Sequence, residues 1–159
     1  VSHSTSAMIS QNTGAGKSER SKQAMMYCFG ICTFLTVTVF TVVTFFSGPI
    51  LRLFGAEEAV VAQGIIYFSS FRFEYVFLPI IISLNAMFLG TGNGWIVLAT
   101  NLVAAIFIRV PLAYFLGVVQ EMGLVGVGWA VPAATGVTTI MVCLFYMSGC
   151  WKKSRVISR

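Results

Sequence analysis

Four long apolar runs dominate the chain, each closed by glycine, proline or charge. The first carries no charged residue over 24–51, between Lys22 and Arg52. That exceeds the ~20 apolar residues a bilayer-spanning helix needs, and Gly48 and Pro49 close it. Thr33, Thr36, Thr41 and Thr44 fall on one side at the helical period. Such a hydroxyl stripe either faces other helices or a cavity, or spends itself on the helix's own carbonyls. The second run, 58–89, starts at a pair of acids, Glu57 and Glu58, which suit a helix N-terminus. It contains Arg72, Glu74 and Pro79, which predict a charged and bent middle. Gly90, Thr91, Gly92, Asn93 and Gly94 break the chain, with glycine supplying the turn. The third run, 95–118, holds Arg109 and Pro111; the fourth, 124–151, follows a turn at Gln120, Glu121, Met122 and Gly123. Gly126, Ala130 and Ala134 recur every four residues and form a face that another backbone can approach closely.

The pattern predicts an all-α polytopic membrane protein. Residues 1–23 form a cytoplasmic loop at the end of a preceding helix, 24–151 a four-helix transmembrane region, and 152–159 a basic cytoplasmic tail. Composition agrees: 57% of the 159 residues are hydrophobic and 9% charged, against about a quarter charged in soluble domains. Mean hydropathy is +0.88. The net charge of +5 does not indicate nucleic acid, because seven of the ten basic residues sit in two clusters flanking apolar runs. Lys17, Arg20 and Lys22 precede the first run, and Lys152, Lys153, Arg155 and Arg159 follow the last. Four spans put both ends on one side, and this charge makes that side cytoplasmic in an inner (plasma) membrane. The chain opens on Val1 and a small, polar stretch, which reads as a cut end of a longer protein.

Several chemistries fall away on spacing. Gly14-Ala15-Gly16-Lys17-Ser18 lacks the earlier glycine of a phosphate loop, since Gln11 stands there, and no strand precedes it. Cys28, Cys32, Cys143 and Cys150 show no CxxC spacing and read as small buried hydrophobes. The lone His3 is given no role, and no catalytic constellation, metal site or cofactor is expected.

Ionisable residues at bilayer depth are costly and are kept where they face protein or water. Glu74 lies about 16 residues from the turn at Gly90 and Arg109 about 15 from that at Gly94. At 1.5 Å per residue both sit roughly 22–24 Å from that end, close enough in depth for an ion pair between neighbouring helices. Tyr67 and Asn85 lie near the helical angle of Glu74, and Ser70 beside it. Tyr67, Ser70, Glu74 and Asn85 are therefore candidates for a cavity wall at which Glu74 takes a cation or proton. The structural alternative is a Glu74–Arg109 pair that fixes two helices.

Gln11-Asn12-Thr13-Gly14-Ala15-Gly16-Lys17, followed by Glu19-Arg20-Ser21-Lys22-Gln23-Ala24, resembles the cytoplasmic loop of MATE (multidrug and toxic compound extrusion) transporters. Leu53-Phe54-Gly55, Asn85 with Gly90-Thr91-Gly92, Arg109-Val110-Pro111-Leu112-Ala113-Tyr114 and Gly123-Leu124-Val125-Gly126 follow in family-like order. The resemblance implies that the four runs are spans nine to twelve of a twelve-helix protein, in its C-terminal lobe. It implies export of organic, often cationic, compounds in exchange for H⁺ or Na⁺, and no enzymatic activity. The partners are then membrane lipids, small organic substrates and the missing N-terminal helices. Leu89 stands where the family often has Arg before Gly90. The family's best-known membrane carboxylates lie in the first helix of either lobe, outside this chain, so Glu74 rests on its own stripe. A lipid-linked saccharide flippase is an alternative, but needs more cavity-facing basic residues than Arg72 and Arg109. A non-transporting four-helix subunit is another.

Overall fold

Every described element is helical. The computed structural model describes residues 1–53 and 57–152; the Leu53-Phe54-Gly55 motif beyond Leu53 and the tail beyond Lys152 lie outside them. In chain order come α1 (Ser2–Gly14), α2 (Ser18–Leu53), α3 (Glu58–Phe71), α4 (Glu74–Gly90), α5 (Gly94–Leu102), α6 (Val110–Tyr114) and α7 (Gly123–Met147). Two π-helical runs, Val103–Arg109 and Phe115–Val119, join α5 and α6 into one helix over Gly94–Val119. This third span, α2 and α7 are long and apolar enough to cross a membrane; α3 and α4 make a fourth crossing if taken as one bent span.

The second run breaks where the sequence carries charge. Between α3 and α4 the axis turns by 54°. The break falls at Arg72 and Phe73, where amides reach back only three residues: Tyr75 N–H donates to the Arg72 carbonyl and Val76 N–H to that of Phe73. Pro79 sits further on, inside α4. Pro111 has a different effect. It has no N–H to offer the Phe107 carbonyl, and the wider i→i+5 turns on either side relieve its ring from the preceding turn.

The first 23 residues are not mainly loop. A helix occupies Ser2–Gly14 and α2 already begins at Ser18, leaving a short turn with Gly16 at φ +71°. Ile9 of α1 is fully buried in the main apolar core, with Met87 and Phe88 of α4, Ile96 and Trp151. A Cβ on Gly90 would lie 2.6 Å from Ile9 Cγ2 and 2.8 Å from the Ser6 carbonyl oxygen, so only glycine permits this approach. Asn93 in the α4–α5 turn donates to the Cys150 carbonyl at 3.4 Å, and Lys22 stands 5.7 Å from the Trp151 ring centroid. The α1–α2 turn, the α4–α5 turn and the end of α7 thus meet at one end of the bundle. At the other end, exposed Arg52 and Glu58 pair at 3.2 Å.

Helix α7 is the centre. In its most apolar window 39% of residues are buried within the chain, against 11% for α2 and 6% for the third span. Its small-residue face does what its spacing predicts: Gly126, Ala130 and Ala134 are all buried. A Cβ on Gly126 would meet the Leu116 carbonyl oxygen at 2.5 Å, and one on Gly128 the Ser70 Cβ at 2.9 Å. The α2 hydroxyls are mostly spent on their own helix: Thr33 donates to Phe29, Thr36 to Cys32 and Thr41 to Val37, at 2.7–2.8 Å. Thr44 is the exception, with a buried hydroxyl that finds no partner among the described residues.

Candidate functional site

Glu74 is the first residue of α4 and projects from the helix break into a cavity of about 280 Å³. The cavity lies between α4, α7 and the third span. Leu78 and Ile81 of α4, Ala104 of the third span and Ala134 of α7 give it apolar walls. Its polar groups are Glu74, Asn101, Arg109, Thr135 and Thr138. The carboxylate is half-buried and lightly held. Thr135 Oγ1 lies 3.3 Å from Glu74 Oε1 but 2.9 Å from the Val131 carbonyl. A hydroxyl has one proton, so the shorter back-bond to Val131 competes for it. Thr135 is the single hydrogen-bond donor to Glu74 among the described residues. A carboxylate has about four lone-pair sites, so most of its accepting capacity stays available to a ligand.

Arg109 shares the cavity but does not pair with Glu74. Among the described residues the ion pairs are Lys22–Glu19 and Arg52–Glu58. The similar depth deduced from residue counting places both groups on one cavity. Arg109, offered as the structural partner of Glu74, ends the π run Val103–Arg109.

The expected stripe is also split. Its logic assumed one straight helix through Tyr67, Ser70, Glu74 and Asn85, and the 54° turn after Phe71 breaks that phase. Tyr67 stacks on Phe71 with centroids 5.4 Å apart. Ser70 is buried against Gly128 of α7, a packing contact. Asn85 lies toward the core end of α4, and its buried Oδ1 has no partner among the described residues. None of the three lines the Glu74 cavity. Asn101, Thr135 and Thr138 do, and sequence reasoning passed over them. One had a usable signal: Asn101 precedes Arg109 by eight residues, on the same side of the third run. Arg72 lies at the break with its guanidinium 5.5 Å from the Phe73 ring centroid and its buried Nε without a hydrogen-bond partner among the described residues.

On the opposite side of the α4–α7 pair is an apolar hollow of about 350 Å³. Phe73 and Trp129 stack across it at 5.2 Å.

Comparison with known proteins agrees with this architecture. The chain is 21% identical to the probable multidrug resistance protein NorM of Thermotoga maritima over 159 residues, 100% of this chain and 34% of that protein. It superposes with a TM-score of 0.85 on the inward-facing conformation of a multidrug resistance MATE family transporter of the MOP superfamily. That match covers 97% of this chain and 36% of the solved one at 21% identity, and it shows the fold. The chain therefore spans about a third of the length of these relatives. The MatE family model matches residues 1–115, most of a 159-residue chain whose helical order is that of a solved member, and the chain belongs to that family.

Proposed function

We propose that this chain is part of a membrane antiporter that exports drugs and other organic, often cationic, compounds in exchange for H⁺ or Na⁺. Its four crossings would be spans nine to twelve, in the C-terminal lobe, with the turn at Ala15–Lys17 and the basic tail on the cytoplasmic side of the plasma membrane. The observation that carries the reading is the Glu74 carboxylate, set in a cavity within membrane-spanning helices and with most of its acceptor sites uncommitted. A carboxylate held at that depth without an ion pair among the described residues is expensive unless a cation or proton visits it. The multidrug resistance relatives support the substrate class. The cavity's apolar walls suit the hydrophobic body of a lipophilic cation, and Glu74 its charge.

The test uses the full-length protein. Cells producing it should extrude ethidium, and Glu74→Gln should abolish extrusion while membrane abundance stays at the wild-type level, because the amide keeps the shape and loses the charge. Wild-type extrusion by Glu74→Gln would remove Glu74 from the mechanism.

A further inference from the structure

Cys28 and Cys32 have no part in the Glu74 cavity, yet helix geometry joins them. Without CxxC spacing the sequence reads them as small buried hydrophobes. Four residues apart on α2, they fall on one face, and their sulfurs lie 4.0 Å from each other. Both thiols are free, and the two residues are only 1% and 4% exposed. They belong to the inner stripe of α2, with Ser21, Ala24, Met25 and Thr36. The described helices alone supply this burial. Met25 brings a thioether to the same stripe, three residues before Cys28.

Thiolate and thioether sulfurs are soft donors, which select soft cations over Ca²⁺ or Mg²⁺. With metal–thiolate bonds of about 2.3 Å, sulfurs ~4.0 Å apart subtend roughly 120° at a bound ion, and a linear arrangement needs ~4.6 Å. The observed separation matches the first, and a modest χ1 adjustment of either cysteine reaches the second. A structural Zn²⁺ site takes four ligands, and among the described residues no group of three or more His, Cys, Asp or Glu could hold a metal. The pair therefore suits an ion content with two or three sulfurs. Charge narrows the class further. Two thiolates around a divalent ion sum to zero, which avoids the cost of burying a net charge among apolar helices. A monovalent ion would leave the complex negative.

We propose that Cys28 and Cys32 form a binding site for a soft divalent cation of the mercuric kind. On binding, each thiol gives its proton to solvent, two sulfur–metal bonds form, and no electron changes hands. The thiols lie roughly 6 and 12 Å into the charge-free run that starts at Ala24, so the ion and the two protons travel a short way from the Lys22 end of the helix. Because both ligands stand on one helix, their separation is set by that helix and not by how α2 sits against its neighbours.

The experiment exposes the purified full-length protein in lipid nanodiscs to Hg²⁺ buffered by glutathione, removes unbound ion by gel filtration and counts mercury per chain. Wild type should retain one ion that Cys28→Ala and Cys32→Ala each lose, and the double change should lose no more than that one. The second thiol binds intramolecularly, so its removal should weaken binding by about a hundredfold or more. X-ray absorption at the mercury edge, compared between wild type and the double variant, should assign two sulfur neighbours to the lost ion. Alanine keeps both positions small and apolar; if it lowers the melting temperature, Cys28→Ser and Cys32→Ser make the same comparison. Mercury at the wild-type level in both single variants overturns the site. Loss of one ion in each single variant and two in the double overturns it as well, because that is how independent thiols behave. A lost ion with only one sulfur neighbour does the same.

Discussion

Replacing Gly126 by alanine tests how the third span is seated on α7. The added Cβ would lie 2.5 Å from the Leu116 carbonyl oxygen, 2.6 Å from its carbon and 2.9 Å from Gly117 N. The closest of these is about 0.9 Å inside the 3.4 Å at which ordinary contact begins. All three atoms are backbone, so no rotamer change relieves them, and the third span must move as a body. Overpacking of this kind costs about 1–3 kcal/mol, and a backbone collision belongs at the upper end. Alanine returns about 1 kcal/mol through its better helix propensity. The net loss is then about 2 kcal/mol. Gly64→Ala is the comparison. Its Cβ would meet Leu51 Cδ1 at 2.6 Å, an equally short distance, but to the free end of a side chain that can swing away. It should be near neutral or slightly stabilising. Thermal unfolding of the full-length protein in detergent, followed by tryptophan fluorescence, should show Gly126→Ala melting several degrees lower, at about 2–4 °C per kcal/mol for domains of 150–250 residues. Equal melting temperatures for the two variants would refute the distinction between backbone and side-chain collisions on which the reasoning rests.

Thr135→Val should weaken cation binding by about fivefold, equivalent to ~1 kcal/mol, because the hydroxyl's bond to Glu74 is long and shared; binding in nanodiscs measures it, and complete loss would show that Thr135 does more. Asn93→Ala should lower thermal stability by about 1–2 kcal/mol, since the bond that joins the α4–α5 turn to the Cys150 carbonyl disappears; an unchanged melting curve would mean that this tie carries nothing. In intact cells an impermeant maleimide should label a cysteine at Gln120 and spare one at Ser18, both exposed in turns or helix ends at opposite ends of the bundle. Labelling of Ser18 alone would reverse the orientation deduced from the basic clusters.

The crossings were legible because lipid imposes a simple rule: long charge-free runs ended by Gly, Pro or basic residues. Residues 2–14 escaped that rule. The segment is rich in Ser and Thr and has little apolar periodicity, and its helix is held by buried Thr5 and Ile9, the latter against Gly90, and by hydrogen bonds that link the Thr13 hydroxyl and the Ile9 carbonyl to Ser21. Pro79 and Arg72–Glu74 together forecast a bend, but only the pattern of three-residue hydrogen bonds locates it at Arg72 and Phe73. The π runs beside Pro111 have no sequence signature beyond the proline itself. At the site, the depth of Glu74 and Arg109 could be counted along the chain. The phase of Tyr67 and Ser70 relative to Glu74 could not, because a 54° turn intervenes. Thr135 and Thr138 look like any other helical threonines until α7 is known to be the central helix.

The largest cluster of buried apolar side chains gathers near one end of the bundle, around Ile9, Phe88, Ile96 and Trp151. Toward the far end the buried apolar residues are fewer, Val61 among them, beside an exposed ion pair and glycines that let helices touch. Mechanically this is a beam set clamped at one side and loosely strapped at the other. Bending compliance must concentrate toward the strapped side, and the Glu74 cavity lies between the two. Splaying or closing the loose ends would change the width of that cavity while the clamped ends stay in register. Amide exchange should follow the same gradient, with α1, the second half of α4 and the end of α7 opening last.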